Sequence, residues 1–212
     1  MKCKICGTET KEDLEIAVSA GADAVGFIVG TTHKSEDSIS TSEAREMIRS
    51  LPPFVSGVVV THLTDADDLI HLVEETGCSV LQIQDMVSVE TLALLRERFS
   101  YLFIIKAVHV LDESAVSVAK EFEMFADAIL LDSRTEDRLG GTGITHDWSI
   151  SAKVVEAVSK PVILAGGLKP ENLVEAMSVV KSYAVDVHSG VKKEGVRDLE
   201  RTREFVRIAH GF

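Results

Sequence analysis

Val162-Ile163-Leu164-Ala165-Gly166-Gly167 is a short apolar run that stops at two glycines, and Pro170-Glu171-Asn172 behind it opens a helical stretch. Proline costs nothing in the first turn of a helix, where its missing N–H would have had no partner. Seven further runs repeat the design. They are Cys3-Lys4-Ile5-Cys6-Gly7, Ala24-Val25-Gly26-Phe27-Ile28-Val29, Gly57-Val58-Val59-Val60, Val80-Leu81-Gln82-Ile83, Phe103-Ile104-Ile105-Lys106-Ala107, Ala128-Ile129-Leu130-Leu131-Asp132 and Ala184-Val185-Asp186-Val187-His188. An amphipathic helical stretch follows each one. Apolar runs of this length, bounded by turn residues and separated by about 10–15 helix-patterned residues, indicate βαβ units and a buried parallel sheet. Eight units in roughly 200 residues predict an α/β fold, a single (β/α)8 TIM barrel at the small end of its size range. Active sites of such barrels lie at the C-terminal ends of the strands, so the last residue of each run is a candidate for chemistry.

Helix signals fall where the barrel requires them. Thr10-Lys11-Glu12-Asp13 opens the first helix as a capping box, with Asp13 in place of the usual Glu. Gly21 closes it as a left-handed C-terminal residue. Ser40-Thr41-Ser42-Glu43 opens the second helix and Leu51-Pro52-Pro53 ends it. Two strand-to-helix loops exceed the usual length, Gly30–Ser40 and Ser133–Asp147, and both lie on the catalytic face.

No Pro/Gly/Ser-rich linker interrupts the eight units, so residues 1–212 are expected to form one domain. The net charge of −12 argues against nucleic acid or an anionic membrane surface as partner, since both favour a basic patch. The acidic excess is spread over helices such as Glu43–Arg49 and Asp65–Glu75, a solubilising surface. No run approaches 18 apolar residues and no signal-like segment opens the chain, which predicts a cytoplasmic protein. Three cysteines make no disulfide framework. Cys3 and Cys6 form a C-x-x-C, but along a strand residues i and i+3 point to opposite faces, which argues against a redox pair or half a zinc site. Cys78 reads as a small buried residue.

Gly166-Gly167 after the seventh run and Ser189-Gly190 after the eighth would let backbone N–H groups approach an anion, and phosphate commonly sits between these two loops of such barrels. Gly140-Gly141-Thr142-Gly143 in the sixth loop is a third N–H-rich segment. Asp132 ends the sixth run, where desolvation raises a carboxyl pKa and suits it to general-acid work. Cys6 ends the first run and faces the same mouth, where a thiol of lowered pKa can act as base or nucleophile.

These residues carry a resemblance. Lys4-Ile5-Cys6-Gly7, Gly21-Ala22-Asp23-Ala24-Val25-Gly26-Phe27, Lys106-Ala107-Val108, Leu131-Asp132-Ser133, Gly140-Gly141-Thr142-Gly143 with Asp147-Trp148, Ala165 to Asn172, and Val185-Asp186-Val187 with Ser189-Gly190-Val191 resemble, in order and over nearly the whole chain, the phosphoribosylanthranilate isomerases of tryptophan biosynthesis. The resemblance implies an Amadori rearrangement with neither metal nor organic cofactor. Asp132 would be the general acid that protonates the furanose oxygen. Cys6 would be the general base that removes the proton from ribose C2, and Gly166, Gly167, Ser189 and Gly190 would hold the phosphate. A phosphorylated sugar derivative is the implied partner, acted on by a monomer or homodimer.

The chain departs from the family pattern around the aromatic part of the substrate. Aligned on Ile39-Ser40, Asp37 stands where the family has an arginine that holds the anthranilate carboxylate. An acidic residue there would repel the substrate, leaving His33 or Lys34 to supply the positive charge. The fourth run continues into Gln84-Asp85, and His62, His109, His146 and His188 join His33 at strand ends or in catalytic-face loops. His33, Lys34, Asp37, Gln84, His109, Gly141 and His188 are therefore candidate substrate-binding residues. Two further readings remain open: a paralogue acting on another phosphorylated sugar, including a metal-dependent one using the mouth histidines, and a non-catalytic phosphate-ligand binder. Retention of both Cys6 and Asp132 disfavours the binder.

Overall fold

β1 (Lys2–Ile5) pairs in parallel with both β2 (Ala24–Ile28) and β8 (Ala184–Val187), and that double pairing closes the sheet into a ring. Between them β3 (Ser56–Thr61), β4 (Val80–Ile83), β5 (Phe103–His109), β6 (Ala128–Asp132) and β7 (Val162–Leu164) follow in sequence order, each parallel to its neighbours. The computed structural model describes residues 1–32, 37–133 and 145–212. The expected (β/α)8 barrel is the observed fold. His33, Lys34 and Gly141 lie outside the described residues.

The strands are apolar on both faces because both faces are buried. Val58, Val60, Ile105, Ala107, Leu130 and Ile163 point into the barrel, while Val59, Ile104, Val108, Ile129 and Leu131 pack outward beneath the helices. Cys3 belongs to the outer layer and Cys6 to the inner one, as period-two alternation requires. All three cysteines are free and buried.

The helices are α1 (Lys11–Ser19), α2 (Thr41–Ser50), α3 (Ala66–Thr76), α4 (Val89–Arg98), α5 (Ser114–Phe122), α6 (Trp148–Ala157), α7 (Pro170–Val180) and α8 (Leu199–Gly211). The capping box of α1 forms, with Asp13 N–H donating to Thr10 Oγ1 at 3.1 Å and Thr10 N–H to the Asp13 carboxylate at 3.3 Å. Ser40 and Glu43 make the same exchange at α2. A 3-10 turn (Ser189–Val191) and a small antiparallel hairpin of β9 (Lys192–Lys193) and β10 (Val196–Arg197) separate β8 from α8.

This hairpin has a use at the mouth. Arg197 is buried and donates to the carbonyls of Cys6 at 2.9 Å and Gly7 at 2.7 Å, with Asp13 3.4 Å from its Nε. The end of β1 is thereby fixed by a charged strut from the far end of the chain.

Candidate active site

Lys4 and Asp186 come from adjacent strands in direct register, and both side chains point into the barrel below the mouth. Lys4 Nζ lies 3.0 Å from Asp186 Oδ1 with both side chains buried. Burial opposes the lysine's charge, but Asp186 and the Cys6 sulfur outweigh it and hold its pKa above the ordinary value. Cys6 sits two residues on, hence on the same face. A Cβ on Gly26 would fall 2.8 Å from Cys6 Sγ and 3.1 Å from Lys4 Nζ, so the absence of a side chain there lets thiol and ammonium meet.

Burial pushes the Cys6 thiol above its ordinary 9.0, and Lys4 pulls it back only in part. The lowered pKa expected from sequence is therefore not observed. The barrel interior desolvates the thiolate more than one ammonium, itself shared with Asp186, can compensate.

Asp132 ends β6 across the mouth. Gln84 Nε2 donates to its Oδ2 at 2.7 Å and Ser133 N–H to its Oδ1 at 2.8 Å, while Gln82 in turn donates to Gln84 Oε1 at 2.9 Å. Desolvation, reinforced by the Asp186 charge, raises its carboxyl to about 6 against these two donors and the more distant Lys4. Lys4 pairs with Asp186, and Asp132 is the carboxyl whose proton affinity burial raises.

Behind Asp132, Ser133 is locked by His146. The His146 N–H donates to Ser133 Oγ at 3.1 Å, its Nδ1 lies 2.9 Å from the same oxygen, and its Nε2 lies 2.6 Å from Ser151 Oγ. Burial lowers the His146 pKa to about 4, so the ring is a neutral strut between the sixth loop and α6. Gly166 presses against this lock. Its φ is +81°, and an added Cβ would come within 2.4 Å of Ser133 N.

The seventh and eighth loops also meet closely. A Cβ on Gly190 would fall 1.9 Å from the Leu168 carbonyl, so only glycine fits. Gly167 (φ +66°) completes the turn, and Asn172 Nδ2 donates to its carbonyl at 3.0 Å. Gly190 of the eighth loop is thus pressed against the seventh loop that Gly166 and Gly167 open, and Ser189 precedes it in the 3-10 turn.

The remaining candidates separate. Asp37 joins an ion network with His188 Nε2 at 2.9 Å and Lys192 Nζ at 2.5 Å, and Lys192 also reaches Glu9 at 3.0 Å. Asp37 is thereby held well below the usual carboxylate range, chiefly by the His188 ring nitrogen set against it. Two nitrogens of the eighth loop, one of them the donating Lys192 ammonium, thus stand against this acid. His188 lies over Gly7, where a Cβ would strike its ring at 2.2 Å. His109 faces Asp132 in the β5–β6 register, whereas His62 is buried and pairs with Asp85 at 3.3 Å. Among the described residues no group of three or more His, Cys, Asp or Glu is arranged to hold a metal ion.

Lys4, Asp186, Lys192 and Arg197 were not singled out from the sequence. The signal for the first two was present: each is a charge inside an apolar run, and Lys4 shares the parity of Cys6.

The model of the family described as N-(5'-phosphoribosyl)anthranilate (PRA) isomerase matches residues 3–208 of the chain. The chain belongs to the PRA isomerase family. N-(5'-phosphoribosyl)anthranilate isomerase 2 of Methanosarcina mazei is 43% identical over 212 residues, 99% of this chain and 94% of that protein. Among solved structures, the PRA isomerase of Thermotoga maritima superposes with a TM-score of 0.87 at 33% identity, each chain covered fully. A PRA isomerase in complex with reduced 1-(o-carboxyphenylamino)-1-deoxyribulose 5-phosphate gives 0.84 at 32%, again with full coverage. Membership carries the aldose–ketose isomerase activity of tryptophan biosynthesis, and the readings as another paralogue or a phosphate binder are not favoured. No helix among the described residues is long and apolar enough to cross a membrane.

Proposed function

We propose that this chain converts N-(5'-phosphoribosyl)anthranilate to the 1-(o-carboxyphenylamino)-1-deoxyribulose 5-phosphate ketose with Asp132 as general acid and Cys6 as general base. Asp132 gives its proton to the furanose ring oxygen. The C1–O bond breaks as the amine nitrogen's lone pair forms the Schiff base. The Cys6 thiolate then takes the proton from C2, whose electron pair makes the enolamine, and this tautomerises to the ketose. The Lys4 ammonium beside Sγ stabilises the thiolate that does this work. The backbone amides around Gly166, Gly167, Ser189 and Gly190 receive the 5'-phosphate, with no buried lysine or arginine needed at that point.

The observation that carries this reading is the placement of the two groups in unlike environments at one mouth. Asp132 is raised to about 6 by burial and the Asp186 charge, while an ammonium attends the sulfur of Cys6. Burial raises both groups, so the reactive form, with Asp132 protonated and Cys6 as the thiolate that Lys4 attends, is the minor one. Removing either group is expected to reduce turnover of N-(5'-phosphoribosyl)anthranilate by about 10²–10⁴-fold with the fold retained. The measurement is steady-state turnover of Asp132→Asn and Cys6→Ser against the parent chain. Near-parental turnover by either variant removes that residue from its role.

A further inference from the structure

The Asp37 carboxylate meets one nitrogen per oxygen: Lys192 Nζ donates to Oδ1 at 2.5 Å, and the buried His188 Nε2, which has no aligned hydrogen-bond partner among the described residues, lies 2.9 Å from Oδ2. One charge-assisted hydrogen bond with a second ring nitrogen waiting beside the other oxygen is an arrangement that a carboxylate turned slightly differently could satisfy at both points. We propose that Lys192 and His188 form the receptor for the carboxylate of the substrate's aromatic amine, and that Asp37 fills it in the free protein as an internal substitute which the substrate displaces. The inference rests on the isomerase reading above, whose substrate carries that ring carboxylate.

Three features support exchange rather than a permanent structural tie. The first is location. His188 overlies Gly7, next to Cys6, and Asp37 stands beside Ser38, which bridges to Ile28 at the end of β2. The slot is therefore one strand on from the thiol that acts at C2, where the amine substituent on C1 must extend. The second is anchorage. Lys192 keeps Glu9 at 3.0 Å when Asp37 leaves, so its side chain, only 10% exposed, stays in place. Asp37 and His188 are each 25% exposed, which gives the slot an opening to the mouth. The third is charge. Replacing Asp37 by another carboxylate leaves Lys192 with an anionic partner, and the displaced Asp37 side chain, already 25% exposed, passes to water rather than being left as a buried unpaired charge.

Steady-state kinetics of the full chain with N-(5'-phosphoribosyl)anthranilate and with the aniline counterpart, which lacks the ring carboxylate, test this. Lys192→Met is expected to raise KM for the anthranilate substrate about 10–100-fold, the loss of a charge-assisted hydrogen bond, with kcat little changed. The aniline counterpart's KM should stay within about threefold. Lys192→Arg should retain the parental KM, and Asp37→Asn, which removes the internal competitor, should lower it for anthranilate alone. Equal losses for both substrates in Lys192→Met would make Lys192 a structural strut and overturn the proposal. Unchanged KM in every variant would overturn it too, because another group would then hold the carboxylate. A parent chain that turned over both substrates with equal KM would refute the slot and leave the isomerase reading standing. One that turned over neither would refute both.

Discussion

Asp132→Asn should make the protein more stable at neutral pH while disabling it. The Asp132 carboxyl lies at about 6 in the folded chain, against 3.8 for an ordinary aspartate. Native protein therefore binds this proton more tightly than unfolded protein does. Stability from this group is complete below pH 3.8, falls as pH rises between the two values, and is fully lost above pH 6. A displacement of about two pH units corresponds to a penalty of about 3 kcal/mol at pH 8 and only about 0.5 kcal/mol at pH 4. Asparagine has no such penalty, but it offers one carbonyl oxygen to two donors, Gln84 and Ser133, which costs about 1 kcal/mol at any pH. The variant should be the more stable by about 1–2 kcal/mol at pH 8 and slightly less stable than the parent at pH 4. Urea unfolding of both proteins at the two pH values measures the swing of about 2–3 kcal/mol, and the pH-independent loss cancels in the comparison. A difference between the proteins that is the same at pH 4 and pH 8 would refute the argument, since Asp132 would then titrate alike in folded and unfolded chains.

Gly190→Ala places a Cβ 1.9 Å from the Leu168 carbonyl, and backbone cannot yield as a side-chain tip can. The seventh and eighth loops should separate, and KM for the phosphorylated substrate should rise at least about tenfold, a cost of about 1.4 kcal/mol. An unchanged KM would place the phosphate elsewhere. Lys106 is fully buried outside the barrel wall, its ammonium 5.1 Å from the Phe122 ring centroid and desolvated to a pKa of about 8. Its folded value lies below the ordinary 10.5, so the chain gains stability as pH rises from 8 to 10.5. Lys106→Met should stabilise at pH 7 by about 1–2 kcal/mol, the removed charge penalty of about 3 less the cation–π contact. Unfolding at pH 7 and pH 10.5 should show that gain shrinking, and a constant difference would count against it.

The barrel was legible because a parallel sheet buried on both faces leaves apolar runs that stop where strands end. All eight runs became strands, with ends differing by a few residues: the seventh stops at Leu164, where the run had continued through Gly167. Caps with local chemistry, Thr10–Asp13 and Ser40–Glu43, were equally readable. Asp132 and Cys6 stood out as polar ends of apolar runs. The Lys4–Asp186 pair did not, since its partners are 182 residues apart and meet only when β1 and β8 close the ring. Lys192 was hidden for the same reason. It lies in a charged turn and gains meaning only when its side chain meets Glu9 and Asp37 from the first and second loops. The sign of the Cys6 shift also depends on burial, which no local pattern reports.

The acid–base pair is tested most directly by the pH dependence of kcat/KM for N-(5'-phosphoribosyl)anthranilate in the parent chain and in Asp132→Asn. The reactive form needs Asp132 protonated and Cys6 as thiolate, so the parent profile should be a bell. Its limbs belong to the carboxyl at about 6 and to a thiol above 9.0. Asp132→Asn should lose the group that titrates near pH 6, its residual activity rising with pH until Cys6 is ionised. Persistence of the inflection near pH 6 in the variant would contradict the assignment of Asp132 as the acid.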